Sequence, residues 1–258
     1  MPKNNNQFWK SSTKPIAIAH RGGAGSYDLD RHRRENTIEA FKAAQKLGYE
    51  YLEIDVTNTA DNKVIVLHVT ADSFEKLLHK PSAPSAEKLQ KYTYTELKKL
   101  LGRDIPVLED VLTSMPKTKF FIDPKTNDVV EPLARVIKQT KSMNRLCLNS
   151  FFLERVVRLQ KILGSSLNTG IIIGRHPRPF NQRLKALKSG LYFDKGLQAI
   201  IIPRRFMMGE TIRLIHMHQT KVLAWGLKNE SQINKAIKLR VDGIITDNIK
   251  LLKQVLEP

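Results

Sequence analysis

A single-domain α/β protein of the (β/α)₈ TIM barrel class, with a small rim insertion, is the fold this sequence predicts. Three observations point to it. Eight short runs rich in Ile, Val and Leu recur along the chain, with segments of helical apolar spacing between them. The runs are continuous rather than alternating, as strands buried on both faces are. The length, 258 residues, suits one such barrel. An open doubly wound sheet shares the alternation, but eight nearly regular repeats within one domain's length favour closure.

Residues 1–14 read as a polar lead-in, expected to be loosely ordered, and residues 15–258 as the barrel. The strand candidates are 16–20, 51–57, 119–125, 146–151, 167–174, 199–203, 221–227 and 243–247, with an extra strand-like run at 64–68 as a hairpin partner or extension of the second. Asn36 with Glu39 three residues on is a capping box for the first helix. Ile38, Phe41 and Ala44 follow at helical spacing, and Gly48 is a stop signal. Asp128 and Glu131 repeat the pattern before Val130, Leu133 and Ile137. Phe152, Val156, Leu159 and Leu163 share a helical face ahead of Gly164, and Asn229 with Gln232 opens a helix before Ala236 and Leu239. Asp247 is expected to cap the last helix. Residues 69–103 break the rhythm and contain Pro81-Ser82-Ala83-Pro84-Ser85, a loop signal; this stretch is the rim insertion.

The chain has 43 Lys and Arg against 25 Asp and Glu, a net charge of +18. Such a surplus favours anionic partners: phosphate esters, an anionic membrane surface or nucleic acid. One dense run, Arg31-His32-Arg33-Arg34, stands out, but no nucleic-acid-binding signature accompanies it, so no specific nucleic acid is expected. Cys147 is the only cysteine, which excludes an intramolecular disulfide and a cysteine-based metal site. The first residues lack the apolar core of a signal peptide, and the longest apolar runs are far shorter than a membrane span. The expectation is a cytoplasmic protein, with peripheral membrane association allowed.

Active sites of such barrels sit at the C-terminal ends of the strands. Glu53 and Asp55, two apart on one strand, point to the same face, and their neighbours Leu52, Ile54 and Val56 are apolar. Two carboxylates on one face repel unless a cation lies between them, and oxygen-only donors suit Mg²⁺ or Ca²⁺. Asp123, at the end of the next barrel strand, offers a third ligand about 5 Å away. His20 and His68 also lie at strand ends and titrate near neutrality, so one can take a proton while the other gives one. Arg21 and Lys125 suit phosphoryl oxygens. Glu35 can orient Arg21 or reach the ion, Gly22-Gly23 permits a sharp turn, and Trp225 is equally a substrate wall or core packing.

The ordered series His20-Arg21-Gly22, Glu35-Asn36-Thr37, Glu53-x-Asp55, His68, Ile105-Pro106-x-Leu108-Glu109, Asp123-x-Lys125, Trp225 and Asp242-Gly243-Ile244-Ile245-Thr246-Asp247 resembles the glycerophosphodiester phosphodiesterase family from about residue 16 to the C-terminus. The resemblance implies a TIM barrel and one divalent ion, Mg²⁺ or Ca²⁺. It implies hydrolysis of glycerophosphodiesters to glycerol 3-phosphate and an alcohol. It also implies Glu53, Asp55 and Asp123 as metal ligands, His20 and His68 as the acid–base pair, Arg21 and Lys125 on the phosphate, and Glu35 assisting at the metal or at Arg21. The chain departs from the family pattern in having Asp123 for Glu, Val69 for Asp after the second histidine, and no Arg-Thr-Thr-like segment soon after it. Two alternatives stand beside this reading: lysophospholipase D-type action on lipid-tailed diesters, and a non-catalytic binding barrel derived from the family.

Overall fold

Every apolar run forms a strand where the sequence places it. The strands are β1 (Ile16–His20), β2 (Tyr51–Asn58), β3 (Val64–Val66), β4 (Lys119–Pro124), β5 (Leu146–Ser150), β6 (Asn168–Ile172), β7 (Ala199–Pro203), β8 (Lys221–Trp225) and β9 (Gly243–Thr246). They belong to a computed structural model that describes residues 8–9, 13–23, 34–68, 89–174 and 180–257. Strand order is β1-β9-β8-β7-β6-β5-β4-β2-β3, and β1 also pairs with β2. That last pairing closes eight parallel strands into a barrel. β3 is the hairpin partner, antiparallel to the end of β2 through Val56↔Val66 and Asn58↔Val64.

The helices are α1 (Ile38–Lys46), α2 (Tyr94–Leu101), α3 (Leu108–Ser114), α4 (Val130–Gln139), α5 (Leu153–Leu163), α6 (Phe180–Lys188), α7 (Gly209–Met217), α8 (Glu230–Lys238) and α9 (Ile249–Leu256). The strands' outward residues, such as Leu52, Ile54, Phe120, Ile122, Ile200 and Ile244, join Phe41, Leu133, Val156 and Ile233 of the helices in one large core. The inward residues form a second, Ile16, Ile18, Tyr51, Phe121, Cys147, Ala199, Ile201, Leu223 and Ile245 among them. Period-two alternation therefore sorts each strand between two buried faces. A small third core of Ile65, Leu67, Leu89, Leu97, Leu101 and Ile105 lies under α2. Thr93 and Glu96 start that helix with a complete capping box. Residues 69–88 of the expected rim insertion lie outside the described residues, as do Arg31, His32 and Arg33.

Four local expectations change. Thr37, not Asn36, caps α1, its side chain accepting from Ala40 N; Asn36 is drawn elsewhere, as described below. Asp128 does not cap α4, which begins after Val129 with no side-chain cap. Asn248, not Asp247, caps α9 by accepting from Leu251 N. The polar lead-in contains Phe8, fully buried. Phe8 closes the N-terminal mouth of the barrel, edge-on to Phe121 at 5.2 Å and to Tyr51 at 5.6 Å between ring centroids. Its carbonyl accepts from Tyr51 Oη and Lys119 Nζ. A barrel interior filled from above by charged side chains still needs an apolar stopper below, and one aromatic residue supplies it. Asn229 caps α8 as expected.

Candidate active site

The inward parity that packs Ile18, Tyr51 and Phe121 low in the barrel brings His20, Glu53, Asp55 and Asp123 to its C-terminal end. Register sets them side by side: His20 pairs with Glu53, and Asp55 with Asp123. They line a pocket of about 480 Å³ together with Arg21, His68, Lys125, Asn149, Phe151, Phe152, Arg155 and Trp225. Eight of the nine residues singled out from the sequence line this pocket; the ninth, Glu35, stands behind Arg21.

The loop after β1 takes its shape from three left-handed residues. Arg21, Gly22 and Gly23 have φ of 52°, 83° and 69°. A Cβ on Gly22 would lie 2.8 Å from that of Ala40, and one on Gly23 2.3 Å from Ile249 Cγ2. Only glycine allows the turn to press against both α1 and α9. The turn is tied by Arg21 N donating to Glu53 O at 2.7 Å and Gly23 N to His20 O at 2.8 Å.

Asp55 is the hub. It is 1% exposed, and its Oδ2 lies 2.7 Å from Arg21 Nε and 3.0 Å from His68 Nδ1, while Oδ1 lies 2.5 Å from Lys125 Nζ. Asn36 Nδ2 donates to Oδ2 at 3.1 Å, and Asn36 Oδ1 accepts from Asp55 N at 3.4 Å. This second task is why Asn36 leaves the cap; it sits at φ 57°, a conformation Asn tolerates. Burial opposes ionisation of Asp55, but Arg21, Lys125 and His68 outweigh it and hold its carboxyl well below the usual range. Arg21 in turn donates from Nη1 to both oxygens of Glu35, at 3.0 and 3.1 Å, so Glu35 braces Arg21.

The two histidines have unlike surroundings. His20 Nδ1 is 2.6 Å from Asp247 Oδ1, and its Nε2 is 3.6 Å from Glu53 Oε2. Burial and Arg21 press its pKa down, yet Glu53 and Asp247 carry it above the usual value. His68 has Asp55 at Nδ1, but Arg21 Nη2 stands 3.2 Å from its Nε2. Burial, helped by Arg21 and Lys125, lowers His68 to about 4 against the pull of Asp55. With a guanidinium donor facing it, Nε2 of His68 is an acceptor and the ring is neutral.

In Glu53 and Asp123, unlike Asp55, burial prevails and raises both above their usual values. Burial, then the charge of Asp55, raises Glu53 to about 7. Its Oε2 is buried with no hydrogen-bond partner among the described residues. Burial also raises Asp123, against Lys125, whose Nζ donates to Asp123 Oδ2 at 2.6 Å. Lys125 thus stands between Asp55 and Asp123. Among the described residues no three His, Cys, Asp or Glu side chains are drawn together as a ready metal cluster. The donor set still fits a hard divalent cation: all oxygen, on adjacent strands, with one buried oxygen unpartnered.

Residues beyond those singled out for this site also belong to it. Asp247 turns to His20; it lies two residues after inward-facing Ile245, keeps the strand's parity, and closes the motif that begins at Asp242. Asn36 supports Asp55. Arg155, buried on α5, donates from Nε to Asn127 Oδ1 and from Nη1 to Pro124 O, which fixes the chain beside Asp123. No periodicity marks it, since a buried arginine on a helix face reads as a break in the apolar stripe.

The model of the Glycerophosphoryl diester phosphodiesterase family matches residues 20–174 and 183–251. The chain is similar to a probable glycerophosphodiester phosphodiesterase 2 of Mycobacterium tuberculosis, 30% identical over 254 residues, covering 93% of this chain and 90% of that protein. Its fold is shared with the crystal structure of a glycerophosphodiester phosphodiesterase from Thermotoga maritima, at a TM-score of 0.73 and 22% identity over 93% of this chain and 98% of that one. It is shared likewise with an Oleispira antarctica phosphodiesterase solved in complex with the product sn-glycerol-3-phosphate, at a TM-score of 0.72 and 19% identity over 95% of this chain and 98% of that one.

Proposed function

The chain belongs to the glycerophosphoryl diester phosphodiesterase family, and from that premise we propose that it hydrolyses glycerophosphodiesters to glycerol 3-phosphate and an alcohol, with one divalent ion and two histidines, in the turnover of lipid-derived esters. The observation that carries this reading is the meeting of three buried carboxylates, two histidines and two cations in one pocket at the C-terminal end of the barrel. We assign residues 15–258 to the catalytic barrel and residues 69–103, of which 69–88 lie outside the described residues, to its rim insertion.

Glu53, Asp55 and Asp123 would hold Mg²⁺ or Ca²⁺, which when bound polarises the phosphoryl group and offsets its charge. Arg21 and Lys125 add positive charge toward the same oxygens. Arg21 is fixed for this by Glu35 and Asp55. His20 has a carboxylate near each ring nitrogen, which favours the protonated ring; it is the acid that protonates the leaving oxygen. His68, held neutral with Nε2 as acceptor, is the base that takes a proton from the water that attacks phosphorus as the bond to the leaving alcohol breaks. Trp225 walls the substrate.

Release of glycerol 3-phosphate from glycerophosphocholine tests the proposal. Activity is expected to disappear in EDTA and return with Mg²⁺ or Ca²⁺. Turnover that survives full chelation removes the metal from the reading, and no turnover with either ion across a diester panel favours a binding barrel instead. A second substrate is supported by the apolar side of the pocket, where Phe151, Phe152, Ile172, Ile201 and Ile245 could seat the start of a lipid tail. Comparing glycerophosphocholine with a lysophospholipid presented in anionic vesicles separates the two. The net charge of +18 predicts that the vesicle rate falls as salt rises.

Asp247→Asn is expected to lower kcat about tenfold or more with little change in KM. The amide cannot supply the negative charge that orients His20 and favours its protonated form. A variant with unchanged kcat would leave Asp247 without a part in the reaction.

A further inference from the structure

The part of the pocket wall built by β5 to β9 is mostly apolar, yet it contains two buried polar atoms with no hydrogen-bond partner among the described residues. They are the Asn149 amide oxygen and the Trp225 indole Nε1–H. One accepts and the other donates, and both residues line the pocket.

Neither position is accidental. On β5, Cys147 is in the inward core while Leu146 and Leu148 pack outward against the helices, so Asn149 faces inward one layer above Cys147. Ile122 pairs with Leu148, which sets Asn149 beside Asp123 on the neighbouring strand. Asn149 is 1% exposed. Trp225 ends β8, its ring edge-on to Phe151 at 6.5 Å and 86°. A buried donor or acceptor left unpaired is destabilising, and native chains hold few of them. Leucine at 149 or phenylalanine at 225 would fill much the same space without that penalty. A substrate group supplying the missing partners accounts for both.

We propose that Asn149 and Trp225 are specificity-determining residues that read hydroxyl groups on the glyceryl part of the substrate, Asn149 Oδ1 accepting from a hydroxyl and Trp225 Nε1 donating to one. The proposal rests on the phosphodiesterase reading and deepens it. A deacylated diester and a lysophospholipid both carry a free glyceryl hydroxyl, so it holds for either. A site with buried groups waiting for a hydroxyl rejects an analogue that lacks it, because binding then seals those groups away from water unpaired.

The test compares glycerophosphocholine with the phosphocholine diester of propane-1,3-diol, which lacks the secondary hydroxyl. The wild-type enzyme is expected to favour the glyceryl diester by about 10- to 100-fold in kcat/KM. In Asn149→Leu and in Trp225→Phe the ratio is expected to fall toward one, and Asn149→Leu is expected to melt no lower than the wild type. Equal kcat/KM for both diesters in the wild type, or an unchanged ratio in both variants, overturns the proposal. If neither diester is cleaved, the phosphodiesterase reading fails separately. Calorimetry with glycerol 3-phosphate against 3-hydroxypropyl phosphate then decides the inference: tighter binding of the first supports it, and equal affinity overturns it.

Discussion

Replacing His20 by alanine is expected to lower kcat on a glycerophosphodiester by about 10²- to 10⁴-fold, with the protein still folded. The ring is held at Nδ1 by Asp247 at 2.6 Å, with Glu53 facing Nε2 at 3.6 Å, and its side chain keeps 24% of its surface exposed. Little core packing is lost with it. The loss should therefore fall on the chemical step, with the melting temperature moving by only a few degrees. Single-turnover rates beside a thermal melt check this. A variant that retains more than a tenth of wild-type kcat would mean that His20 is not the proton donor. A collapse in stability would mean that the ring is chiefly structural. His68→Ala provides the contrast: removing that ring also takes a partner from Asp55 and from Arg21, so activity and stability should fall together.

Asp55→Asn is expected to destabilise the metal-free protein by about 3–5 kcal/mol, a drop in melting temperature on the order of 10 °C for a chain of this size. The substitution keeps the shape and removes one charge. Arg21 and Lys125, at 2.7 and 2.5 Å from the carboxylate, are then two buried cations in one pocket with their shared counter-charge gone. Glu35 still holds Arg21, and Asp123 still holds Lys125, which keeps the effect below complete unfolding. Activity should be lost as well, since the same residue is proposed to hold the ion. A melting temperature within about 2 °C of wild type would show that the cations rearrange to water, and the hub assigned to Asp55 would fall.

The barrel could be read from the chain because its signals are local. A strand buried on both faces is a short apolar run, and the alternation of inward and outward residues follows from the pleat alone. The same parity put Glu53 and Asp55 on one face before any fold was known, and the strand-end rule drew His20 and Asp123 toward the same rim. The caps of α1 and α9, by contrast, are Thr37 and Asn248, each one residue after the Asn36 and Asp247 that the pattern points to. Each of the displaced residues has a polar side chain that can cap, and sequence cannot say that a stronger demand lies elsewhere. Asn36 is claimed by Asp55, 19 positions away, and Asp247 by His20, 227 positions away.

By itself, then, the sequence determined which segments become strands and helices, which faces of the strands carry charge, and which residue types gather for phosphodiester chemistry. Only the tertiary structure decided that Phe8 plugs the barrel, that Lys125 stands between Asp55 and Asp123, that Arg21 is tied by Glu35, and that the two histidines differ. The physical reason is range. Strand and helix propensity act over a few residues, whereas the partner of a buried charge is chosen by closure of β1 on β2 and β9. That closure brings the two ends of the chain's barrel together over His20.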